Sequence, residues 1–207
     1  MCPEKDKYFF DLNGYLVIRN VYSAAEVAEM NSVLDARSSD MKEREAIELK
    51  NADDGTPLAG SCGRKDMGGI LEWGERESFH FRSVLDHPSL RPYYHEFMGA
   101  GYRMDHLPFI IAQDKDAEGF KLHGGTVDCS SGSYNPEIAY SCVNGRIFNR
   151  LLAVSVVLTD HNEGDGGFVI VRGSHKSNFA CPPDMINGIG DGSKYKYKIF
   201  KTFALFK

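Results

Sequence analysis

Residues Leu151–Phe179 read LLAVSVVLTDHNEGDGGFVIVRGSHKSNF, and the order of these parts decides the fold. Leu151 to Leu158 is a nearly unbroken apolar run, the pattern of a central strand buried on both faces. Asn162 to Gly167 is a glycine-rich turn, and Phe168 to Val171 reads as the return strand. Gly173-Ser174-His175 closes it.

Upstream, Leu107 to Ala112 is a β-like run. Phe120 to Leu122 reads as a short strand leading into His123-Gly124-Gly125. Asp128 to Asn144 reads as a polar loop. Before Gly101 the signals are helical. Tyr15 to Ile18 is a short strand after the turn signal Asn13-Gly14. Ser23 and Glu26 then have capping-box spacing, and Val27, Met30 and Leu34 share a helical face. The expected helix runs from about Ala24 to about Arg37. Ser38 to Gly69 is polar and glycine-rich, with a helix expected around Met41 to Leu49. Leu90, Tyr94 and Phe97 mark another helix, ending at Gly99. Helices first and antiparallel strands later predict an α+β layout on a β-sandwich or barrel.

The 207 residues carry a net charge of -5, which gives no electrostatic basis for nucleic-acid binding. The five cysteines are odd in number and widely spaced, with no CxxC. That argues against a disulfide scaffold or a structural zinc site and favours free thiols in a reducing compartment. The N-terminus MCPEKDKYFFDLNGYLVIRN has neither a signal-peptide pattern nor a membrane span. A cytoplasmic protein with no membrane partner is the expectation.

His123 is the leading chemical candidate. A histidine at a strand end, flanked by small residues, leaves space for a metal and a co-substrate. Non-haem iron oxygenases use two histidines and a carboxylate on one face of the metal, leaving positions open for oxoacid and oxygen.

The stretch from Leu151 to Phe179, the opening FFDLNGYLVIRNVYSAAEVAEMN and the segment KLHGG together resemble the phytanoyl-CoA dioxygenase family. The resemblance covers most of the chain up to about Phe179. It implies a double-stranded β-helix (a jelly-roll, cupin-like core) with N-terminal flanking helices. It implies Fe(II), with 2-oxoglutarate as co-substrate, molecular oxygen, and a small apolar or amphiphilic substrate that is hydroxylated. The expected organisation is one domain over 1–207: a helix-rich part at 1–100, jelly-roll strands at 101–179 and an atypical tail at 180–207.

His123 matches the family's first iron-binding histidine. The family's aspartate position falls on Gly125, which has no ligand atom. Asp128 from the following loop is a secondary metal candidate, and so is His175, although the latter belongs to a Gly-Ser-His-Lys segment that in the family is structural or lies behind the metal ligands. After His175 the chain has no further histidine and no arginine. The family's distal histidine and the arginine that grips 2-oxoglutarate therefore have no match, and the C-terminal strands are expected to be missing or replaced. The tail KYKYKIFKTFALFK is either a terminal strand with a lysine-bearing face or read-through into non-coding sequence. Two alternatives to a hydroxylase follow: a catalytically inactive or truncated jelly-roll protein, and a halogenase-like enzyme in which halide takes the position vacated at Gly125.

Overall fold

The computed structural model describes residues 1–44, 52–127, 132–162, 165, 167–189, 197–198 and 204–206. Its first half is helical. Helix α1 (Glu4–Asn13) starts after Pro3 and has Glu4 and Asp6 in its first turn, where carboxylates oppose the helix dipole. It ends at Gly14, whose φ of 82° returns its N–H to the Phe10 carbonyl. Strand β1 (Leu16–Ile18) follows, then helix α2 (Ala24–Ala36). The capping box of α2 is formed: Ser23 Oγ accepts from the Glu26 N–H, and Glu26 Oε2 accepts from the Ser23 N–H.

Helices α3 (Glu75–Ser83) and α4 (Arg91–Met98) complete the helical part. Pro92 sits in the first turn of α4, and Gly99 lies just past its end with a φ of 86°. Two apolar clusters form the core. In one, Phe10 stacks on Phe97 at 3.9 Å between ring centroids, with Leu90 and Tyr94 beside them. In the other, Met30 and Leu34 of α2 pack with Phe81 of α3, Ile70 and Met67.

The described strands form four small antiparallel sheets. β2 (Lys42–Glu43), β3 (Lys65–Met67) and β4 (Ile110–Ala112) make one, in that order. β1 makes another with β7 (Val154–Ser155) and β10 (Ala204–Phe206), and β10 lies in the middle. β5 (Tyr140–Val143) pairs with β6 (Arg146–Asn149), and β8 (Val169–Ile170) pairs with β9 (Tyr197–Lys198). Helix α5 (Pro183–Ile186) falls between β8 and β9. No helix among the described residues is long and apolar enough to cross a membrane.

The mixture of helices and antiparallel strands agrees with the expected class, but several expected elements differ. The helix expected around Met41 to Leu49 is not there at its start. Lys42 and Glu43 instead pair with β3, and residues 45–51 lie outside the described residues. Leu151 to Leu158 does not form a long strand buried on both faces. Only Val154 and Ser155 are paired, to β10, and both are half-buried. Apolarity reports burial, whereas strand length depends on a partner for each N–H and C=O, and among the described residues β10 pairs with two of the run, Val154 and Ser155. Phe120 forms an isolated β-bridge while Lys121 and Leu122 are irregular, so the expected strand is reduced to a single bridged residue. The expected polar loop contains the β5–β6 hairpin, turned by Asn144 and Gly145 with φ of 51° and 75°.

Candidate functional site

His123 lies in an irregular segment that the surrounding fold holds at several points. The Leu122 N–H donates to the Ile186 carbonyl of α5 at 3.1 Å. Lys121 forms an ion pair with Asp53 at 2.5 Å. Beyond the glycines, the buried Thr126 hydroxyl donates to the His175 carbonyl at 2.8 Å. The His123 ring itself is exposed. Its Nδ1 is 2.8 Å from the Lys121 carbonyl oxygen. A carbonyl only accepts, so this bond places a proton on Nδ1. Metal-binding histidines are oriented in the same way by backbone carbonyls.

Gly124 and Gly125 have φ of 88° and 91°, a region that side-chain-bearing residues rarely adopt. A Cβ at Gly125 would lie 3.5 Å from the Ser174 carbonyl oxygen, an ordinary contact. Backbone conformation, rather than lack of space, therefore accounts for the glycine. Asp128 lies outside the described residues.

His175 is committed elsewhere. Its Nε2 donates to the Asp11 carbonyl at 3.0 Å, and its ring meets Tyr140 edge-on at 4.7 Å. A Cβ on Gly14 would come within 2.3 Å of its Nδ1, which is buried with no hydrogen-bond partner among the described residues. Burial pushes the His175 pKa below its ordinary value, assisted by the Lys176 charge and opposed by the Asp11 hydrogen bond and carboxylate. Lys176 Nζ also donates to the Asp11 carbonyl, the Gly173 N–H to the Asn13 carbonyl, and Arg172 Nε to Asn13 Oδ1. The Gly-Ser-His-Lys turn thus clamps the end of α1.

One group beside His123 was not anticipated from sequence. Asp66 and Ile111 are opposite each other across β3 and β4, on the face away from the buried Met67. Strand alternation brings Arg64 to the same face as Asp66. Arg64 is 6 % exposed and donates from Nη2 to Asp66 Oδ2 at 2.6 Å. Arg44 donates to the same oxygen at 3.2 Å. Both guanidiniums stack on Phe120, at 4.1 Å for Arg64 and 5.1 Å for Arg44. The Phe120 ring meets His123 edge-on at 5.7 Å. Arg-x-Asp at one-apart spacing on a strand is the signal that could have located this group.

As a site for iron, the arrangement fits at one ligand. His123 presents a suitable nitrogen, but among the described residues no three His, Cys, Asp or Glu side chains come together as a metal-binding group.

The family model for phytanoyl-CoA dioxygenase matches residues 10–198, and the chain belongs to that family. Its cofactors are Fe(II) and 2-oxoglutarate. No curated protein matches the chain. Solved structures of HygX from Streptomyces hygroscopicus share its fold. The form with nickel, 2-oxoglutarate and hygromycin B bound is 21% identical, with a TM-score of 0.72 over 99% of this chain and 77% of that one. The form with nickel and 2-oxoglutarate is 20% identical, with a TM-score of 0.74 over 100% and 77%. The iron-bound form is 21% identical, with a TM-score of 0.70 over 99% and 76%.

Proposed function

We propose that this chain is an Fe(II)- and 2-oxoglutarate-dependent oxygenase with His123 as a metal ligand, acting on a small apolar or amphiphilic molecule. The observation that carries the proposal is the exposed His123 ring with its Nδ1 proton held by the Lys121 carbonyl. Family membership supports the cofactors, and the HygX structures with iron or with 2-oxoglutarate bound support the same chemistry. A double-stranded β-helix core, a single domain over 1–207 and a cytoplasmic setting belong to the same proposal.

Bound iron supplies the oxidising chemistry, with oxygen and the oxoacid consumed together. The protein residues orient and shield. Lys121 fixes the His123 tautomer. Phe120 walls one side of the imidazole. Phe109 and Ile111 of the β4 segment are about half exposed, at 51% and 50%, and offer apolar contact to a substrate. His175 serves the clamp on α1 rather than the metal. Gly125 meets a backbone requirement.

The test is anaerobic addition of Fe(II) and 2-oxoglutarate, followed by visible spectroscopy and an assay of oxoacid turnover. A charge-transfer band that His123→Ala removes, with iron affinity lowered at least about tenfold, is expected. Unchanged iron affinity in that variant would reject His123 as a ligand. No band and no turnover in the unaltered chain would favour the non-catalytic alternative.

A further inference from the structure

We propose that a second copy of this chain pairs with the outer edge of β4, antiparallel and about a two-fold axis, so that two three-stranded sheets become one of six strands. The pairing depends on neither a metal nor a co-substrate.

The direction of the backbone groups carries the first part of the case. The Arg44 N–H donates to the Arg64 carbonyl at 2.8 Å, so Arg64 turns its polar backbone groups toward β2. These groups alternate sides along a strand. Lys65 and Met67 therefore face β4, and the residues opposite them, Ala112 and Ile110, face back. Phe109 and Ile111 are left to direct their N–H and C=O groups outward. Among the described residues β4 has no neighbour on that side, and Phe109 and Ile111 make no backbone hydrogen bond to a loop or turn.

Proteins blunt an open edge with charges, proline or a bulge. The run Leu107–Ala112 carries no charge. Its one proline, Pro108, falls in step with Ile110 on the side facing β3, so it does not obstruct the outer edge. Leu107, Phe109 and Ile111 are 69%, 51% and 50% exposed.

Charge order points to a second copy as the occupant. Asp105 precedes the apolar run and Lys115 follows it, and both are exposed. With the axis at Ile110, Phe109 lies opposite the partner's Ile111, and Asp105 comes near the partner's Lys115. With the axis at Phe109, Arg103 would instead approach the partner's Lys115, a like-charge contact. A two-fold contact requires such self-matching. Pairing uses backbone groups, so the side chains of Phe109 and Ile111 stay on the sheet face, where the partner's Ile111 extends the apolar floor. Contact through strands this short is small, so the dimer forms and dissociates with concentration.

The experiment is analytical ultracentrifugation of the full chain in reducing buffer, from micromolar to near-millimolar concentration. A monomer–dimer equilibrium is expected. Asp105→Lys and Lys115→Asp should each weaken dimerisation roughly tenfold, because each change acts twice per dimer, and the double variant should restore it. Ile111→Pro removes an outward N–H and should abolish the dimer. The charge variants sit on exposed positions and decide the matter even if Ile111→Pro does not fold. A chain that stays monomeric throughout, or that forms open-ended aggregates, overturns the proposal. Capture of a foreign extended peptide at β4 by a monomeric chain overturns it too, and assigns the edge to another protein. A dimer indifferent to the charge changes places the interface elsewhere and overturns the assignment to β4.

Discussion

His175 shows how one side chain can tie stability to acidity. Its Nε2 is engaged with Asp11, and its Nδ1 is pressed against Gly14. A second proton on Nδ1 would have no acceptor among the described residues. Burial lowers the folded-state pKa below the ordinary 6.5. Above about pH 6.5 the ring is neutral in folded and unfolded chains alike, and its full contribution is present. As pH falls below that value, the unfolded chain takes the proton first, so stability drops until the folded-state pKa is reached. Urea midpoints measured at pH 7.5 and pH 5.5 should show this fall, and His175→Phe should show a smaller one. An equal fall in the variant would assign the effect to other groups.

At the scale of elements, α2 depends on its first turn. Ser23→Ala removes the acceptor for the Glu26 N–H and should destabilise the protein by about 1 kcal/mol. Equilibrium denaturation checks this, and an unchanged midpoint would mean that the packing of Met30 and Leu34 alone holds the helix. This element is legible in the sequence because its cap and its apolar spacing agree locally. α4 is legible for the same reason, through Leu90, Tyr94, Phe97 and Gly99. The strands are less so. Leu151 to Leu158 shows its apolarity openly, but the partner of β7 is β10, distant in sequence. The β5–β6 hairpin carried a clear Asn144-Gly145 signal inside a segment whose polarity suggested only a loop. At the site, His123 stands out by its glycines. Arg64 does not, because its significance depends on Phe120 lying over it, a contact between segments far apart in sequence.

For the molecule as a whole, β10 joins parts of the chain that otherwise lie apart. Leu205 pairs with Val17 on one side and Ser155 on the other. Leu205→Pro places a residue without an N–H in the middle of that ladder and should destabilise the fold by about 3 kcal/mol, the scale of a proline forced into regular structure. Thermal unfolding of the variant checks this. A transition equal to that of the parent would show that the sheet contributes little to global stability. The second core, between α2 and α3, is built without this sheet, so its hydrogen-exchange protection should be less affected than that of β1.

The central place of β10 also sets an order of events during synthesis. Leu16–Ile18 leaves the ribosome well before Ala204–Phe206. At roughly 5–20 residues per second, the interval is on the order of ten to forty seconds. Throughout it, the backbone of β1 lacks its eventual neighbour and remains open to other nascent chains or to a chaperone.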